Sequence, residues 1–215
     1  MTQTQQKQSV LVWDLPVRVF HWLLFVSFAG AWLTAESEAQ QMIHYAFGYT
    51  ACALVLFRIL WGLIGTRYAR FTQFIKGPSN TTHHIKSLLN RQPEHQLGHN
   101  PAGAVAMVLL MVLILLLGLT GYWIVKDLLS ELVGEAHEII ASMAMAVVTI
   151  HIAAAILMSF FQKENLIKSM VTGMKMGAID QAIPSPVYLL GFMLAVAWSY
   201  MFFLVVSGAL PVLTQ

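Results

Sequence analysis

The sequence predicts an all-α integral-membrane fold: a four-helix transmembrane bundle plus an additional fifth C-terminal transmembrane helix. Three observations carry this. Of the 215 residues, 58% are hydrophobic and only 10% are charged, against about 25% charged in soluble domains. The apolar residues fall in five blocks, each near the roughly twenty residues a helix needs to cross the hydrocarbon core. The charges outside those blocks are unevenly divided between alternate connections. Backbone polar groups in lipid must be satisfied within their own segment, so each block reads as a helix.

The first block covers 17–33. A polar segment, 1–16, precedes it, and no small-residue cleavage site follows, so it reads as a retained helix and not as a signal peptide. The second, 43–64, is interrupted by Arg58. The third, 102–125, opens behind Asn100-Pro101, and the fourth covers 136–161. Pro184 and Pro186 set off the fifth, 187–210, which reads as an appended element. Between the second and third lies the one long polar segment, 66–101, with turn formers at Gly77-Pro78 and Gly98 and a short amphipathic helix near 84–89. The chain thus divides into an N-terminal segment 1–16, a four-helix domain 17–175 and a C-terminal helix within 185–210.

Lysine and arginine in the connections set orientation. Lys7, Arg18, Arg67, Arg70, Lys76, Lys86, Arg91, Lys163, Lys168 and Lys175 fall on one side. Lys126 is on the other, with Glu36, Glu38, Asp127, Glu131 and Glu135. The expectation is a multi-pass protein of the bacterial inner membrane with a cytoplasmic N-terminus. A formal charge of +2 is too small to argue for a nucleic-acid partner. The single cysteine, Cys52, rules out a disulfide framework, a cysteine-held iron–sulfur cluster and a C-x-x-C-H haem attachment.

The histidines point to chemistry. His83, His84, His95 and His99 are in the polar connection, but His21, His44, His137 and His151 lie within apolar blocks. An ionisable group at membrane depth is expensive and is a functional hypothesis by default. His137 and His151 are fourteen residues apart, about 40° short of four full turns, so they share a face roughly 21 Å apart along the axis. By depth, His21 pairs with His151 and His44 with His137. Zinc and copper also take imidazole, usually with three or four protein ligands. Two histidines facing each other across a bundle suit a planar macrocycle with two axial positions, which predicts two haem b groups stacked across the membrane.

Gly48, one turn after His44, leaves room for a haem plane or for close helix packing, and the same two readings apply to Gly30 and Gly121. Arg18 and Arg58 suit either haem propionates or interfacial snorkelling. Phe20, Trp22, Tyr45, Phe47, Tyr49 and Trp61 are candidates to line the macrocycles, and Cys52 reads as a small apolar filler.

These residues resemble the bacterial cytochrome b561 / nickel–iron hydrogenase b-type cytochrome family over roughly 10–175. The similarity rests on Val12-Trp13-Asp14-Leu15-Pro16 through His21-Trp22, and on His44-Tyr45-Ala46-Phe47-Gly48-Tyr49. It continues in Phe57-Arg58-Ile59-Leu60-Trp61-Gly62, Thr66-Arg67-Tyr68-Ala69-Arg70-Phe71 and Gly98-His99-Asn100-Pro101. The His137/His151 pair, Lys163-Glu164-Asn165-Leu166 and Thr172-Gly173 complete it. The resemblance implies a four-helix bundle with two b haems, held by His21, His44, His137 and His151. It also implies respiratory-chain electron exchange between membrane quinone and a partner redox protein.

The Arg67–Phe71 and Lys163–Leu166 segments look most like members serving small periplasmic c-type cytochromes. The leading expectation is therefore electron transfer between the quinone pool and such a cytochrome, with quinol:cytochrome oxidoreductase activity as its enzyme form. The alternative is a haem-bearing membrane anchor subunit of a hydrogenase or similar redox enzyme. A proton-relay transporter fits less well, because no Asp or Glu sits mid-helix. The polar-connection histidines and Tyr68 are candidates for the quinone site.

Overall fold

A computed structural model describes residues 7–73, 97–98, 100–128 and 130–210. His83, His84, His95, His99 and the short helix expected near 84–89 lie outside the described residues. Five helices are long and apolar enough to cross a membrane. They are α1 (Leu15–Thr34), α2 (Gln41–Ile64), α3 (Pro101–Val125), α4 (Ser130–Gln162) and α6 (Tyr188–Val206), with a short α5 (Leu166–Thr172) after α4.

Local chemistry sets the helix starts. Asp14 caps α1, its carboxylate accepting from the Val17 N–H at 2.8 Å, with Pro16 in the first turn. Asn100 caps α3 in the same way, accepting from Gly103 N–H, and Pro101 occupies the first helical position. Asn165 caps α5 through the Lys168 N–H at 2.8 Å. Gly173 ends α5 in the left-handed region at φ 83°, where a Cβ would meet the Trp13 carbonyl at 2.7 Å. That carbonyl-rich corner ties the chain's start to its later part, because Val12 and Trp13 both donate to the Gly173 carbonyl.

The α4 helix begins earlier than the apolar block suggests. Its first turns carry Glu131 and Glu135, and its 33 residues span about 50 Å at 1.5 Å per residue, more than the roughly 30 Å hydrocarbon core. His137 therefore sits two turns inside α4 and does not open it.

Side-by-side packing is uneven. α1 packs on α2, α3 on α4 and α2 on α3, while α6 lies against both α1 and α2. α4 makes extended backbone contact with α3 and α5, not with α1 or α2. Two apolar cores form. One joins α2 to α3 through Ala51, Val55, Met111 and Ile114. The other gathers Val10, Val12, Trp13, Val17, Tyr68 and Ile183 at the end of the bundle where α1 begins, here the near end.

A two-stranded antiparallel sheet, which the sequence did not announce, caps the near end. β1 (Gln8–Leu11) pairs with β2 (Met174–Gly177), Gln8 opposite Gly177 and Leu11 opposite Met174. Behind it, Lys175 is buried beside Glu164, 3.7 Å away. Burial pushes the Lys175 ammonium below its ordinary pKa, against the opposing pull of the Glu164 carboxylate.

α6 is more than an appendage. Trp198 Nε1 donates to Ser27 Oγ at 2.9 Å, Ser27 lies 3.5 Å from Thr50 Oγ1, and Phe202 meets Phe47 with ring centres 4.7 Å apart. A Cβ on Gly191 would strike Leu15 at 2.6 Å, so α1 and α6 touch closely at the near end.

Candidate functional site

The membrane histidines come together in twos. At the far end, His44 of α2 faces His137 of α4 with ring centres 6.4 Å apart and planes inclined at 62°. Each has its Nδ1 engaged: His44 with the Ala31 carbonyl at 2.9 Å, His137 with Thr120 Oγ1 at 2.8 Å. Nε2 is then the nitrogen available to a metal on each ring. Two imidazoles on opposite sides of one metal, each bound at about 2 Å, have ring centres roughly 6 Å apart. The observed separation fits that arrangement. Among the described residues no three His, Cys, Asp or Glu side chains converge as a metal site.

A cavity of about 270 Å³ opens beside this pair, lined among others by Gly48, Tyr45, Leu117 and Gly121. A Cβ on Gly48 would meet nothing within 4 Å, so this glycine borders open space. Gly121 sits under the His137 ring, where an added Cβ would be 3.5 Å from Cε1. Gly30 differs: the Phe47 ring fills the place of its missing side chain, so close packing is its role here. Gly118 likewise admits Cys52, whose thiol donates to the Ile114 carbonyl.

Towards the near end, His21 of α1 and His151 of α4 are electrostatic neighbours. His21 Nδ1 is buried with no hydrogen-bond partner, and Trp22 packs edge-on against its ring at 5.2 Å. Arg18 reaches the Val171 carbonyl with one terminal nitrogen, while its buried Nε has no partner. Arg58 is 1% exposed and enclosed by protein. Phe71 lies 5.0 Å from its guanidinium carbon, Met107 Sδ is within reach, and Asp14 is its charged neighbour.

Asp14 and Thr120 are polar residues of this frame that the histidine pattern does not point to. Asp14 also accepts from Trp61 Nε1 at 3.1 Å and Thr66 Oγ1 at 2.5 Å. Nothing in the sequence pattern pointed to these distant donors. Tyr68, a candidate for the quinone site by sequence, donates its hydroxyl to the Gln181 carbonyl at 2.8 Å, and burial pushes its phenol pKa up.

The model of the family described as prokaryotic cytochrome b561 matches residues 12–173. A probable Ni/Fe-hydrogenase B-type cytochrome subunit of Rhizobium leguminosarum bv. viciae is 24% identical, the match covering 78% of this chain and 89% of the relative. A protein of the same description from Azotobacter vinelandii is 24% identical over 83% of this chain and 93% of its own. A probable Ni/Fe-hydrogenase 1 B-type cytochrome subunit of Escherichia coli K12 is 24% identical over 53% and 59%. No solved structure matches. With five apolar spans and a family match over most of its length, the chain belongs to the prokaryotic cytochrome b561 family of multi-pass membrane electron carriers that bind haem b.

Proposed function

We propose that the chain carries two b haems, one held by His44 and His137 and the other by His21 and His151, and relays electrons between the two membrane faces as the membrane subunit of a hydrogenase-type redox complex. The observation that carries the ligand assignment is the far-end pair, 6.4 Å apart with both Nδ1 atoms engaged. The absence of extended backbone contact between α4 and the α1/α2 pair supports it, because a macrocycle needs room there. Haem held by these histidine pairs would supply one-electron redox chemistry.

The protein's part is to orient and insulate. Ala31 and Thr120 fix the far-end rings, and Gly48 leaves space for a flat group. The unpartnered Arg18 Nε suits a propionate at the near end. The surroundings of Arg58 favour an interior structural charge over propionate pairing.

The relatives' names favour the hydrogenase alternative over a small c-type cytochrome. The segments that suggested the c-type partner act architecturally here. Glu164 accepts from Met176 N–H, Asn165 caps α5 and Tyr68 binds Gln181, all at the near end. By the charge distribution the near end is cytoplasmic in the inner membrane, so these segments lie away from an outer partner. Quinone is proposed as the membrane-side partner.

The test is a reduced-minus-oxidised spectrum with a pyridine haemochrome assay on the wild type and on His21→Ala, His44→Ala, His137→Ala and His151→Ala. Two b haems per chain are expected, each substitution losing one. A colourless wild type, or spectra indifferent to all four changes, defeats the assignment. Reduction of this cytochrome by hydrogen gas in anaerobic native membranes supports the hydrogenase reading. Reduction by quinol alone, with no hydrogen response, returns the quinol:cytochrome c reading.

A further inference from the structure

We infer that Thr120 is a positioning residue that fixes the proton on His137 and thereby sets the redox potential of the far-end haem. This rests on the proposed ligation by His137.

Thr120 is on α3 and is 7% exposed. Its oxygen lies 2.9 Å from the Leu116 carbonyl, 3.2 Å from the Leu117 carbonyl and 2.8 Å from His137 Nδ1. A threonine hydroxyl carries a single proton and two lone pairs, and a carbonyl oxygen can only accept. The Thr120 proton therefore goes to the backbone, within its own helix turn. What remains facing His137 is a lone pair, so the bond runs from His137 Nδ1–H to Thr120 Oγ1. The opposite tautomer would set the Nδ1 lone pair against the Thr120 lone pair unless the hydroxyl abandoned the carbonyl. The wrong tautomer would also protonate Nε2, the nitrogen a metal needs.

The same device appears across the site with a different acceptor. His44 Nδ1 is 2.9 Å from the Ala31 carbonyl, which also can only accept. A backbone carbonyl cannot be removed by substitution, whereas Thr120 can. His21 at the near end has no such partner on its buried Nδ1. The two ends thus differ in how their imidazoles are held.

Donation from Nδ1–H to an oxygen makes the ring a stronger electron donor. A stronger donor stabilises ferric over ferrous iron and lowers the potential. Removing the acceptor must then raise the potential of the far-end haem and leave the near-end haem unmoved.

The experiment is an anaerobic optical redox titration of purified wild type, Thr120→Val and Thr120→Ser in detergent, with haem counted by pyridine haemochrome. Val keeps the shape and removes the acceptor; Ser keeps the acceptor. Thr120→Val is expected to shift one of two midpoints upward, by about tenfold in the reduction equilibrium or about 59 mV for one electron. Thr120→Ser is expected to hold both midpoints near wild type. Should Val lose one haem outright, retention of both haems and both midpoints by Ser carries the same conclusion. Two haems with unmoved midpoints in Thr120→Val overturn the inference, as does loss of haem in both variants, which would mark a packing role. Failure of the ligand assignment reads differently: it is a His137→Ala protein that keeps both haems.

Discussion

Asp14 is 1% exposed, yet its carboxylate serves three donors from three places in the chain: Val17 N–H, Trp61 Nε1 and Thr66 Oγ1. Losing a cap costs about 1 kcal/mol, and each buried donor left without a partner about 1–3 kcal/mol. Asp14→Ala is therefore expected to lower stability by about 3 kcal/mol, read as a lower midpoint in SDS unfolding followed by circular dichroism. Asp14→Asn, which keeps one acceptor oxygen, should recover part of the loss; equal midpoints for the Ala variant and wild type would refute the hub. The sequence made His21, His44, His137 and His151 conspicuous because titratable rings are rare in apolar blocks. It left Asp14 and Thr120 inconspicuous, because one reads as an ordinary helix cap and the other as an ordinary threonine in an apolar helix.

At the scale of elements, α6 is the instructive case. Flanking prolines made it look detachable, but Trp198 reaches Ser27 and Phe202 packs against Phe47, so α6 is keyed to the face of α1 and α2. Interhelical hydrogen bonds in membranes contribute about 0.6 kcal/mol on average. Trp198→Phe should thus cost little, and a chain ending after Pro186 should lose stability while keeping its haem complement, since α6 packs on α1 and α2 and not on α4. Haem lost on this truncation, by the haemochrome count, would mean that α6 helps form the site. The near-end sheet was not legible at all. β1 and β2 are four residues each, too short for a periodic signal, and only tertiary proximity pairs them.

Over the whole molecule, the charge asymmetry is the ground for proposing that the near end faces the cytoplasm. In a Cys52→Ser background, Ser37→Cys is expected to react with a membrane-impermeant maleimide in intact spheroplasts. Gln73→Cys should react only after lysis. The reverse pattern would invert the topology and move the His44/His137 pair to the inner face. The same scale explains why α4 is so exposed: its extended contacts are with α3 and α5, while His137 faces His44 of α2.

The sequence by itself determined the five spans. Apolar length and helical rise are local properties, and no distant contact is needed to read them. Tertiary structure alone decided that α4 stands off from α1 and α2 and that Gly30 is packing while Gly48 borders space. It also decided that Thr120 and the Ala31 carbonyl hold the far-end rings. These depend on which helix faces come together, which the shapes of several segments settle jointly and no single segment encodes.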